Sequence, residues 1–227
     1  MSRSTLCASA INAEIRKAQA AAAAPAAPAA PKKNAKDKPA TAPKGAGEIR
    51  IIGGQWKRTR LPVAQRPGLR PTPDRVRETL FNWLGQGLAG WRCLDAFAGT
   101  GALGLEAASR GAEAVLLVES DAALAAQLET LRQRLQAEAV RVQRGDGLSV
   151  LQQAVPGSLD LVLIDPPFAG DLFVKALHAA ARAVGPEGYV YLEAPRAWAD
   201  EELAAAGLAV HRHLKAGAVH AHLLRRA

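Results

Sequence analysis

Cysteine is nearly missing from this sequence: of 227 residues, only Cys7 and Cys93 carry a thiol. Neither stands at metal-ligand spacing, and one pair builds no disulfide framework, so the chain suits a reducing compartment. Long apolar runs are missing too. No stretch approaches the roughly 20 apolar residues that a membrane helix needs, and the N-terminus lacks the continuous apolar core of a secretory signal. The expected location is cytoplasmic, with no membrane partner.

Negative charge is scarce at the front of the chain. Residues 1–47 carry eight Lys/Arg and two acids, and residues 48–85 carry eight Lys/Arg and three acids. The remaining residues are net −3, although the whole chain is +8. A basic front end on a slightly acidic body points to contact with a polyanion at the front and a different task behind it.

Large apolar side chains are absent from Lys17 to Gly47, where Ala, Pro, Lys and Gly dominate and five prolines (Pro25, Pro28, Pro31, Pro39, Pro43) interrupt any helix. The segment 1–47 therefore reads as a disordered tail. Order is expected from Glu48. Glu48–Ile52, a turn at Gly53-Gly54 and a second strand over Gln55–Val63 predict a β-hairpin. Thr72 as N-cap, Pro73 as the first helical residue and Gly85 as a stop then predict a helix. Residues 48–90 thus form a basic extension of hairpin and helix.

From Trp91 strands and helices alternate. Apolar β-type runs fall at Arg92–Ala96, Ala114–Glu119, Ala139–Val142, Leu159–Ile164 and Gly188–Glu193, with helical stretches such as Asp121–Ala137 and Asp171–Val184 between them. That alternation predicts an α/β domain over 91–227 with a mainly parallel sheet. Leu208–Lys215 and Ala218–Arg225 flank Ala216-Gly217 and predict a closing antiparallel hairpin. That turn would set His213 opposite His220 and His211 opposite His222; a one-residue slip abolishes the pairing, and no metal is assigned.

Three stretches carry chemistry. Asp95-Ala96-Phe97-Ala98-Gly99-Thr100-Gly101 follows the first strand of the domain and opens a helix. Its glycines allow close backbone approach, and the helix N-terminus offers aligned N–H groups. Gly99 to Gly104 matches the dinucleotide pattern G-x-G-x-x-G, which makes a nicotinamide-dependent oxidoreductase a rival. Asp95, four residues before Gly99, argues against it, because a carboxylate there repels a pyrophosphate and attracts an ammonium. Glu119 ends the next strand, 18 residues after Gly101, where it can accept both hydroxyls of a ribose. Asp146 follows the third strand and can accept from an adenine amino group or cap a helix.

The third stretch is Asp165-Pro166-Pro167-Phe168, delivered by the buried run Leu161–Ile164 to the edge where open α/β sheets bind ligands. An exocyclic amino group is a poor nucleophile, because its lone pair is delocalised into the ring. Asp165 can accept one N–H and a carbonyl of the Pro166-Pro167 turn the other, which aims the lone pair at an incoming methyl group. Phe168 can hold the base by stacking. Around Trp56, the residues Arg50, Lys57 and Arg58 form a basic hairpin with an aromatic, and Arg70, Arg75 and Arg77 bracket a helix N-terminus. Both suit RNA phosphates, though Arg75 or Arg77 could instead pair with Glu78 or Asp74.

Asp95–Gly104, Glu119, Asp146 and Asp165–Phe168 resemble the ordered motifs of class I amino-methyltransferases. Arg50–Lys57 and Leu69–Leu84 closely resemble the bacterial 16S ribosomal RNA guanine-N2 methyltransferases. The resemblance implies a Rossmann-like fold, S-adenosylmethionine as cofactor held by Asp95, Phe97, Gly99, Gly101, Glu119 and Asp146, and catalysis at Asp165, Pro166, Pro167 and Phe168. It also implies methyl transfer to the N2 of one guanine in 16S rRNA of the small ribosomal subunit or its assembly intermediate, by a monomer. Adenine-N6 methylation of DNA or RNA would use the same Asp-Pro-Pro-aromatic chemistry. A non-catalytic RNA-binding assembly factor is the rival of another class.

Overall fold

The computed structural model describes residues 47–63, 72–166 and 170–227, which lie within one folded unit, Lys44–Ala227. Residues 1–46 of the expected tail, Arg70, Pro167 and Phe168 lie outside the described residues.

Strands buried on both faces need apolar side chains at nearly every position; β4 (Ala114–Glu119) and β6 (Leu159–Ile164) come close to that, while β3 (Arg92–Asp95), β5 (Val140–Arg144) and β7 (Val184–Ala194) mix apolar and polar residues. They pair in parallel in the order β5-β4-β3-β6-β7. β8 (Leu208–Ala216) and β9 (Val219–Arg226) add an antiparallel hairpin, giving a seven-stranded sheet of order β5-β4-β3-β6-β7-β9-β8. Strand order reverses between β3 and β6, whose carboxyl ends therefore flank a crevice.

Two apolar layers cover the sheet. Cys93, Leu117, Leu161, Leu163 and Tyr191 face one layer with α1 (Asp74–Trp83), α2 (Ala102–Ser109) and α3 (Ala122–Arg134). Leu94, Val118, Val162, Ile164 and Leu192 face the other, with α4 (Gly147–Gln153), α5 (Gly170–Ala183) and α6 (Asp200–Ala205). The alternation along each strand is the period-2 geometry of the pleat.

The amino-terminal hairpin differs from the expected one. β1 (Gly47–Arg50) and β2 (Arg60–Val63) pair antiparallel, but Gly53-Gly54 is not a two-residue turn between them. Residues 51–59 form a longer loop, because α2 competes for its backbone. The Glu106 carboxylate accepts from the N–H of Ile52 at 2.8 Å and of Gly53 at 2.7 Å, and Ser109 O accepts from Gln55 N at 2.7 Å. Gly54 has φ +74°, and a Cβ there would stand 1.8 Å from Ser109 O, so only glycine fits.

Helix α1 also starts otherwise than expected. Thr72 is buried and makes no cap; its hydroxyl donates to Glu193, and Pro73 takes the cap position without a side-chain bond. Gly85, at φ +87°, follows the end of the helix as expected. In the closing hairpin Ala216 pairs with Val219, so the turn lies one residue beyond Ala216-Gly217. His213 then faces His222 and Lys215 faces His220. A bulge between Val210 and Arg212 takes His211 out of register, and its ring lies 5.7 Å from that of Tyr189. Among the described residues, no group of three or more His, Cys, Asp or Glu is arranged to hold a metal ion.

Candidate active site at the carboxyl edge of the sheet

Four strands end in an acid on this edge or deliver one just beyond it: β3 in Asp95, β4 in Glu119, β6 just before Asp165, and β7 one residue after Glu193. Asp95 is 2 % exposed and accepts from Gly104 N at 3.0 Å, so the first turn of α2 is tied to the end of β3. Burial pushes its carboxyl up to about 7; bonds from the Gly104 and Phe97 backbone oppose this, and nearby Glu119 and Glu193 add to it. Between them the chain turns through Gly99 (φ +51°) and Gly101 (φ +78°), and a Cβ at Gly101 would lie 2.5 Å from Leu128 Cδ2. Phe97 is half-buried and packs against the second apolar layer.

Glu119 is buried and grips this loop. One oxygen accepts from Gly99 N at 2.8 Å, the other from Asp121 N at 2.8 Å and the Ser120 hydroxyl at 3.3 Å. Asp146 is exposed and caps α4: it accepts from the backbone N–H of Ser149 at 2.9 Å and from its hydroxyl, and these bonds hold its carboxyl below the ordinary range. Of the two uses open to Asp146 in the sequence, the helix cap is the one made.

Asp165 is half-buried and Pro166 buried, directly after β6. Burial, the charge of Glu193 and that of Asp95, in that order, push the Asp165 carboxyl up to about 8. Glu193 was not singled out from the sequence. It is 4 % exposed and accepts from the Tyr191 hydroxyl at 3.0 Å and from Thr72, with the positive Arg77 nearby. Burial is the larger influence and raises its pKa. The signal was present: each of these strands carries its acid at or just past its carboxyl end, and Leu192-Glu193 repeats the pattern of Leu94-Asp95.

The donor set suits a cation with a ribose better than a dinucleotide. The N–H of Gly104, which a phosphate at the start of α2 would need, is already donated to Asp95. A buried carboxylate at that point attracts an ammonium or sulfonium and repels a pyrophosphate.

The basic extension divides into two parts. Arg50, Lys57, Arg58 and Arg75 are exposed, and Arg50 pairs with Asp74 at 2.8 Å. Trp56 is half-buried against the first apolar layer, and its backbone N–H donates to the Ser109 hydroxyl at 3.0 Å. Arg77, expected to contact RNA, does not face solvent: it is 0 % exposed. Its guanidinium donates to Glu106 at 3.2 Å, Asp74 at 2.6 Å, Thr72 O at 3.2 Å and Arg50 O at 2.9 Å. Glu106, also 0 % exposed, is shared with Arg110 at 2.9 Å. A buried guanidinium is tolerated only when paired and saturated with acceptors, so Arg77 is an internal clamp between α1, α2 and the hairpin.

Strand order, helix layers and an acid-lined crevice at the reversal point define the Rossmann-like fold of class I methyltransferases. Solved structures agree: the Escherichia coli yhhF protein superposes with a TM-score of 0.67 at 38% identity, covering 79% of this chain and 98% of that one. The family described as Conserved hypothetical protein 95 matches residues 49–225, and the chain belongs to it. Among curated relatives, Ribosomal RNA small subunit methyltransferase D of Escherichia coli (strain K12) is 49% identical over 135 residues, 59% of this chain and 67% of the relative. The Haemophilus influenzae protein of the same name is 40% identical over 161 residues, 69% of this chain and 83% of the relative.

Proposed function

We propose that this chain transfers a methyl group from S-adenosylmethionine to the exocyclic N2 of a guanine in 16S rRNA, within the small ribosomal subunit or its assembly intermediate. The observation that carries the reading is the placing of Asp165-Pro166 at the strand-order reversal beside the buried Asp95. The two relatives above, named as small-subunit rRNA methyltransferases, support the substrate class.

Asp95 faces the cofactor's ammonium, and Phe97, Gly99 and Gly101 shape the loop that approaches it. Glu119 accepts from the ribose hydroxyls, and Asp146 takes the adenine end with the oxygen that Ser149 leaves available. The cofactor supplies an electrophilic methyl group on a positively charged sulfur. Asp165 accepts an N–H of the target amino group, the Pro166-Pro167 turn offers a carbonyl to the other, and Phe168 stacks on the base. Arg50, Trp56, Lys57, Arg58, Arg70 and Arg75 bind RNA phosphates and bases on the extension. The enzyme acts as a cytoplasmic monomer; no helix among the described residues is long and apolar enough to cross a membrane.

Labelled methyl transfer to small subunits and to deproteinised RNA, followed by nucleoside analysis, tests this. N2-methylguanosine is expected, whereas N6-methyladenosine or no transfer would overturn it. Asp165→Ala should abolish most turnover and leave the cofactor's Kd within about twofold, since its bonds go to the target base.

A further inference from the structure

Glu193 is buried, charged and unused by the mechanism above. Register places it: Leu163 pairs with Tyr191 and Ile164 with Leu192, so the next residues, Asp165 and Glu193, stand side by side on the face that bears Leu163 and Tyr191. Adjacent strands are about 4.8 Å apart, and the charge of Glu193 acts on Asp165, so the two carboxyls share one largely buried space. Glu193 cannot swing away, because the Tyr191 hydroxyl holds it at 3.0 Å and the Thr72 hydroxyl also donates to it.

We propose that Glu193 is a positioning residue acting through Asp165: anchored by Tyr191 and Thr72, it makes the two carboxyls keep one proton between them while no cation occupies the pocket. The proposal rests on the methyltransferase reading. Two carboxylates side by side in a low-dielectric space cannot both ionise cheaply, so one proton stays with the pair. Glu193 is the better anion, with two hydroxyl donors and the positive Arg77 nearby, so the proton resides mainly on Asp165.

The surrounding groups support that assignment. From β3 comes Asp95, a further negative charge; from β4, Glu119, which acts on Asp95. On β9 the residue paired with Glu193 is the uncharged Ala221. From α1 comes Arg77, already engaged by Glu106 and Asp74. Methylation forms an N–C bond as the cofactor's methyl–sulfur bond would break, and the nitrogen gives up one proton. Once a bound cation has favoured release of the pair's own proton to solvent, the ionised Asp165 beside a second carboxyl binds the proton from the nitrogen more tightly than an isolated carboxyl would, which suits a proton acceptor working near neutral pH. Thr72 belongs to the approach to α1, so the RNA-contacting extension itself helps set the state of the catalytic acid.

Glu193→Gln keeps the shape and an acceptor oxygen for the two hydroxyls, but removes the charge. In the free protein, infrared difference titration should show the Asp165 carboxyl band, identified by its loss in Asp165→Asn, moving to lower pH by about one unit or more. The acid limb of the kcat profile on small subunits should move the same way. If Glu193→Gln melts like the wild type and neither midpoint moves, Glu193 is merely structural and the proposal fails. Loss of kcat at every pH with an unmoved free-protein midpoint would also defeat it, by making Glu193 a substrate contact. If Glu193→Gln does not fold, Thr72→Val decides: without that hydroxyl Glu193 takes the proton more readily, and the Asp165 midpoint must again fall. A wild type that methylates no RNA would defeat the proposed function, whereas the free-protein titration would still decide the role of Glu193.

Discussion

Asp95 and Asp165 are pushed up to about 7 and about 8, chiefly by burial, from an ordinary value of 3.8. The folded chain therefore holds protons that the unfolded chain has already lost, and its stability falls as pH climbs from 3.8 through these values. His222, pushed down to about 4 by burial and by its neighbour His213, works the other way, but only up to its ordinary 6.5. From pH 6.5 to about 8 the acids act unopposed by it. Calorimetry of the cofactor-free protein should thus show a lower Tm at pH 8 than at 6.5, with a shallower slope in Asp95→Asn. A Tm that rises across this window would sink the assignment of buried, protonated acids. Saturating S-adenosylmethionine, as a cation that favours the ionised forms, should flatten the slope as well.

Among the elements, α1 and the hairpin loop are held to the domain by charge as much as by apolar packing. Arg77 and Arg110 flank Glu106, which also receives two loop N–H groups. Removing one partner leaves an uncompensated buried charge, so Arg77→Ala should cost about 3–5 kcal/mol in denaturant unfolding. Arg75 lies two residues away and is exposed. Arg75→Ala should change stability by less than about 0.5 kcal/mol while weakening RNA binding and lowering its salt slope by about one. If both variants unfolded alike, the division of the extension into clamp and contact surface would be wrong. The spacing of α1 was legible in the sequence, because Val76, Leu80 and Trp83/Leu84 recur at helical intervals. Thr72 was not: its hydroxyl bonds Glu193, 121 residues further along the chain, instead of capping its own helix. The loop after β1 was misread for the same kind of reason, since a two-residue Gly-Gly turn satisfies local backbone geometry but ignores the acceptors that Glu106 and Ser109 supply.

Taken whole, the molecule is a net-negative catalytic body, −3 beyond residue 85, behind a strongly basic front. The described part of that front offers few free cations, because Arg77 is internal and Arg50 pairs with Asp74. Binding to naked RNA should accordingly be weak, with each phosphate contact adding about 0.7–0.9 to the log–log salt slope. A target guanine must be unpaired or splayed out to reach Asp165, and a folded ribonucleoprotein can hold it so. Small-subunit particles should be methylated far faster than protein-free RNA at equal concentration. A short hairpin with the target guanine that reacted as fast as the particle at physiological salt would show that the extension reads RNA alone.

The alternation of apolar runs with helical stretches was enough, in the sequence itself, to establish a parallel α/β sheet with a terminal hairpin, since period and run length are local properties. Glycine spacing and the Asp-Pro-Pro stretch likewise located the crevice, because a turn after a buried strand can only emerge at the sheet's edge. Two things were decided by tertiary contact alone. Arg77 became a clamp when Glu106 was brought against it, whereas the cap that Asp146 makes with Ser149, three residues on, is local and was one of the two uses open to it in the sequence. The last hairpin turns one residue later than expected, which sets His213 against His222, and the bulge at Val210/Arg212, farther from the turn, leaves His211 beside Tyr189. The clamp and the register each depend on a partner's position in space, and in the sequence Glu193 was one acid at the end of one more strand until the pleat put it beside Asp165.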